Sequence, residues 1–132
     1  MKSLLACAAA SLFSACAAVQ EVPTFESRVD SAREVEGQAG VKDYIERHLF
    51  PAMRTDMSTA MQRCLASPGA SKANFTLVAD IASNGAITSV AVKPTTDTAR
   101  CFAKSFSTLQ LPPPPRQRAS GLPIFIEMEL GG

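Results

Sequence analysis

Five side chains in this sequence have the types needed for covalent or metal chemistry: Cys7, Cys16, Cys64, Cys101 and the single histidine, His48. A cysteine can act as a nucleophile, ligate a soft metal, pair in a disulfide or accept a lipid. An imidazole can act as a base or a ligand. A catalytic thiol needs a base beside it, and His48 stands several helical turns before Cys64. A metal site needs a cluster of ligands, and His48 has no second ligand type at suitable spacing. Met53, Met57 and Met61 suggest a soft-metal site at first sight. They recur at helical spacing, which reads instead as an adaptable core stripe. No nucleophile, base and orienting acid can be assembled from these residues, so the chain is read as non-enzymatic, with no cofactor and no metal.

The first two cysteines lie in a segment of another kind. Lys2 is followed by an apolar run from Leu4 to Val19, interrupted only by Ser11 and Ser14. One positive charge, a short apolar stretch and small residues make a secretory signal peptide, and the run is short for a membrane span. Leu12-Phe13-Ser14-Ala15-Cys16 resembles a bacterial lipobox, with Phe13 where that motif usually has an aliphatic residue. The resemblance implies a signal peptide over residues 1–15 and a lipid on Cys16. Ala17 after the cysteine implies sorting to the periplasmic face of the outer membrane. The alternative is cleavage after Ala17, which releases a soluble periplasmic protein. Residues 16–40 carry few apolar groups and are expected to form a flexible tether, with a nascent helix near Ser27 to Glu36.

The remaining residues, 41–132, read as one folded domain. Val41, Tyr44, Ile45, His48 and Leu49 recur at helical spacing, and the stripe runs on through Ala52, Met53, Met57, Ala60, Met61, Cys64 and Leu65. Pro51 predicts a break, with the second helix starting there; a single kinked helix is the alternative. Phe75 to Ile81 alternates like a half-buried strand. Asn84-Gly85 predicts a type I′ hairpin turn. Ile87, Val90 and Val92 resume the pattern with a slip of one, which predicts a bulge near Ser89. Thr96 or Asp97 can cap a helix whose apolar face is Cys101, Phe102, Ser105, Phe106 and Leu109. Pro112 to Pro115 form either a rigid corner or a docking motif for an aromatic groove. A last strand, Ile124 to Leu130, alternates apolar and acidic residues. The fold class is therefore α+β, with helices packed on one face of a small three-stranded antiparallel sheet in the order α-β-β-α-β.

Removing Cys7 with the signal and assigning Cys16 to the lipid leaves Cys64 and Cys101, an even pair in an oxidising compartment. They stand on the two helices that flank the hairpin, so a disulfide between them would clamp those helices together. Thirteen basic and twelve acidic side chains, no Trp and one Tyr argue against nucleic acid, which needs a basic stripe or a stacking platform.

Asn84-Gly85-Ala86-Ile87, Ser89 to Val92, Ala99 to Leu109, Leu111-Pro112-Pro113 and Leu122 to Leu130 together resemble the C-terminal domain of TonB and its relatives, including TolA. Cys64 and Cys101 look like the cysteine pair of some TonB-like domains. The resemblance covers Pro51 to Leu130. The chain shows neither the inner-membrane helix nor the long proline-rich spacer of an energy-transducing TonB. What the resemblance implies is a binding mode, in which an open sheet edge accepts an extended segment of another envelope protein. Ile124, Ile126, Glu127, Met128 and Glu129 are the expected docking residues, because nothing follows the last strand to cover it. A structural module for envelope stability or secretion, without energy transduction, is the alternative.

Overall fold

The computed structural model describes residues 21–115 and 121–131. The expected signal peptide over 1–15 and the expected lipid acceptor Cys16 lie outside the described residues. Along the chain come α1 (Phe25–Glu36), α2 (Ala39–Tyr44), a π-helical turn (Ile45–Leu49), α3 (Phe50–Leu65), β1 (Phe75–Ile81), β2 (Ile87–Lys93), α4 (Asp97–Phe106) and β3 (Leu122–Met128). The three strands form one antiparallel sheet in the order β2-β1-β3, and the fold is α+β as expected.

The sheet is covered on both faces, which corrects the expectation of helices on one face only. Strand alternation sends Phe75, Leu77, Ala79 and Ile81 of β1 to one side, with Leu122, Ile124 and Ile126 of β3. That side carries the main core, built with Val41, Tyr44, Ile45, Leu49 and Met53 from the leading helices and Phe102 and Phe106 from α4. Thr76, Val78 and Asp80 point to the other side, and α1 lies there.

The placement of α1 also corrects the flexible tether expected over 16–40 for its described residues: the nascent helix expected near Ser27 to Glu36 is a formed helix packed on the sheet. The segment is polar in composition, but Phe25, Val29, Ala32 and Val35 recur at helical spacing. Thr24 caps the helix, its side chain accepting from Ser27 N–H. Ala32 and Val35 are buried. The overall composition hid a narrow apolar stripe that needs only one sheet face to cover it.

α3 starts at Phe50 with Pro51 in its first turn, close to the expected start, but α2, the π turn and α3 follow without a loop, so the path is continuous as in the single-helix alternative. Val41, Ile45, Leu49, Met53 and Met57 recur every fourth residue, which in an α-helix drifts about 40° per step. The wider π turn takes up this drift just before Pro51 and keeps the stripe on the core. His48 and Ala52, both assigned to that stripe, are exposed as a result.

The hairpin turn departs from type I′. Gly85 N–H donates to Ala82 C=O, and Gly85 alone within the turn has positive φ, +87°. This is a three-residue loop, a type I turn followed by a left-handed glycine. The bulge expected near Ser89 is present. The register passes from Val78↔Ala91 to Asp80↔Thr88, and Ser89 takes φ +55°.

Candidate functional site

Hydrogen bonding along β1 determines which backbone groups of β3 face outward. Ala82 N–H donates to Ala86 C=O across the hairpin. Bonding alternates along a central strand, so Asp80, two residues earlier, also bonds toward β2. Asp80 sits opposite Pro123 of β3. The backbone groups of Pro123, Phe125 and Glu127 therefore point away from the sheet. Proline at 123 fits this geometry, since the donor it lacks would face outward. Among the described residues, nothing bonds to the N–H of Phe125 or Glu127.

The predicted docking residues divide in two. Ile124 and Ile126 are 4% and 8% exposed and belong to the core, so they support the strand and present no side chain to a partner. Met128 is half-buried against the same core. Glu127 is exposed, but its carboxylate pairs with Arg33 of α1 at 3.4 Å, and the same guanidinium lies 5.1 Å above the Phe125 ring. Glu129 is exposed and lies beyond the end of the strand, because β3 stops at Met128 and not at Leu130. There Leu130 N–H donates to the Asn74 side chain instead.

The expectation that nothing covers this edge is corrected by an element that precedes it. α1 runs over one face of β3, and Ile45, Leu49 and Phe50 of the π turn and α3 meet its outer edge from the other side. Val35, at the end of α1, reaches round into the main core. Ala32 and Glu36 of α1 and Ile45, Leu49 and Phe50 of the following helices close a small crevice along Pro123–Ile126. Phe50 remains 40% exposed at its rim. The edge from Glu127 onward is not part of that crevice.

Sequence reasoning missed the polar contacts beneath α1. Arg28 reaches the Asp80 carboxylate at 3.6 Å and donates to the carbonyl of the bulge residue Ser89. A cavity of about 180 Å³ adjoins this pair, lined in part by Pro23, Ser31 and Val78. Burial pushes the Asp80 carboxyl above its usual range, against the opposing pull of Arg28. Glu26 pairs with Lys93 of β2, which holds its carboxyl below the usual range. The available signal was Glu26, Arg28 and Arg33 on the flank of a weak apolar stripe.

Cys64 and Cys101 form a disulfide that joins α3 to α4, with Cα atoms 5.7 Å apart. His48 is exposed and its ring centroid lies 6.4 Å from that of Tyr44. Among the described residues no three potential metal ligands gather, and no helix is long and apolar enough to cross a membrane.

The tetraproline is tied to the body at its start. Leu111 N–H donates to Gly85 C=O, and the Tyr44 hydroxyl donates to Pro112 C=O at 2.7 Å. Burial pushes the Tyr44 phenol up to about 12. The unfolded value is about 10, so the folded state holds this proton more tightly. The corresponding stability is fully present below the unfolded value and is lost as pH rises through 12. Tyr44→Phe is expected to cost about 1 kcal/mol at neutral pH, through the unpaired Pro112 carbonyl. It should also abolish this alkaline loss. Denaturant midpoints measured from about pH 8 to about pH 12 for both proteins check the result.

The chain matches no protein-family model, no curated protein and no solved structure.

Proposed function

We propose that this protein is a non-catalytic lipoprotein of the bacterial envelope. It is anchored by Cys16 at the periplasmic face of the outer membrane, and its domain docks an extended segment of another envelope protein. The observation that carries this reading is the outward, unpartnered N–H of Glu127, at the end of β3 that the corner along Pro123–Ile126 leaves open. An added strand satisfies such groups directly. The disulfide supports a site of action in an oxidising compartment. The resemblance to TonB-like domains supports the same binding mode. Energy transduction is not part of the proposal.

Glu127→Pro tests the docking. The N–H it removes faces outward, so the β1–β3 ladder stays intact, and circular dichroism should be unchanged. Crosslinking from position 129 in intact envelopes should give a discrete adduct with the parent and none with the proline variant. An equal adduct from a folded proline variant would exclude this strand. If the two acids steer the partner, Glu127→Gln with Glu129→Gln should slow association, as should added salt. The anchor has its own test. A clickable fatty acid should label the parent and leave Cys16→Ser unlabelled, and equal labelling would exclude the anchor.

The corner around Pro123–Ile126 favours a second reading, a structural module whose sheet is closed by its own chain. On that reading Glu127→Pro changes no crosslink, while Cys16 is still labelled.

A further inference from the structure

The contacts that hold α1 differ in kind from those that hold the rest of the fold. Its two buried side chains are Ala32 and Val35. Phe25 and Val29 are only half-buried, and the remaining attachments are polar: ion pairs of Glu26 with Lys93 of β2, Arg28 with Asp80 of β1 and Arg33 with Glu127 of β3, the Arg28 bond to the Ser89 carbonyl, and cation–π contacts of Arg33 with Phe125 and Lys93 with Phe25. The first and last of these ion pairs are more than half exposed, so water and salt weaken them. The opposite face is held by a continuous aromatic and aliphatic core and by the disulfide. Segments with few buried apolar contacts open first, by local fluctuation and not by global unfolding.

From this contrast we infer that α1 is a displaceable cover, which lifts off the sheet as a unit while the disulfide-clamped body stays folded. Lifting it does two things. It bares Val78 and Phe125 on the second face of the sheet, and it frees the corner that closes the outer edge of β3 along Pro123–Ile126. The opening is a property of this chain alone. Its consequence, control of access to the β3 edge, rests on the docking reading above. Glu127 then has two competing uses, to hold Arg33 while the cover is down and to border the edge when it is up.

Hydrogen exchange followed by mass spectrometry tests the opening without any partner, so its failure is distinct from a failure of docking. The chain is measured at low salt, about 20 mM, and at high salt, about 500 mM, a range that shortens the screening length severalfold. Amides of Phe25–Glu36 should exchange much faster than those of β1 at either salt. The high-salt step should accelerate α1 about fivefold, as expected for weakening several exposed pairs, and leave β1 unchanged. The double variant Glu26→Gln with Arg33→Gln alters only exposed groups. At low salt it should reproduce the high-salt exchange of the parent and lose most of the salt response. Protection of α1 equal to that of β1 overturns the inference. So does fast α1 exchange that is unmoved by salt or by the double variant.

Discussion

Gly85→Ala is expected to destabilise the domain by about 3–5 kcal/mol, the sum of left-handed strain and overpacking. Gly85 sits at φ +87°, and a methyl group there would overlap the Leu111 carbonyl oxygen and lie 2.8 Å from Gln110 Nε2. The crowding is against backbone, and the neighbouring segment is pinned. Leu111 N–H bonds to Gly85 C=O, and the Gln110 side chain donates to Asn84 C=O. Neither side can retreat without breaking the link between the hairpin turn and the start of the tetraproline. Gly69→Ala is the control. Gly69 also has positive φ, +76°, but no atom lies within 4 Å of the added methyl. It should cost only the conformational strain, about 1 kcal/mol. Thermal unfolding of both variants checks the pair, with Gly85→Ala lower in Tm by on the order of 15 °C. Equal losses would show that the close approach to Leu111 is unimportant.

Replacing both cysteines, Cys64→Ser with Cys101→Ser, is expected to cost about 4 kcal/mol. The bridge closes a loop with a sequence separation of 37 residues, which contains the hairpin and the start of α4. In the chain-entropy account the loss acts on the unfolded chain, which regains the freedom of that loop. A domain of this size is stable by about 5–15 kcal/mol, so the variant should remain folded at low temperature and unfold early on warming. Denaturant midpoints of parent, reduced parent and double variant provide the measurement. The reduced parent and the variant should agree closely. The intact mass of the non-reduced parent should fall two hydrogens below that of the dithiol. A parent whose thiols alkylate fully without reductant would contradict the bridge.

Much of the sheet was legible because alternation is a local property. Phe75 to Ile81 shows its period without reference to any neighbour, and the slip at Ser89 marked the bulge. The turn type was not legible, since Asn84-Gly85 fits two geometries. The contact between Gly85 and Leu111, far along the chain, accompanies the one adopted. Pro51 marked the start of α3 within one residue, but the π turn that joins it to α2 without a loop was not legible, because the proline rule acts on an ideal α-helix. The candidate edge was half legible. The alternation of β3 was plain, but its cover came from a segment whose average polarity concealed Ala32 and Val35. Arg28 meets Asp80 only once both elements are folded, so no spacing rule could have paired them.

On the proposed anchoring, the position of α1 would also set how far the domain can stand from a membrane. With residues 16–40 as a free leash, a lipid on Cys16 would allow the body to roam about 80 Å from the bilayer surface, at roughly 3.5 Å per extended residue. With α1 capped at Thr24, the proposed anchor at Cys16 would leave only the residues up to that cap, which could span at most about 30 Å. A released α1 would return about 18 Å of that reach if it stayed helical. On the proposed anchoring, the same helix that covers the sheet would set the altitude at which a partner could be met.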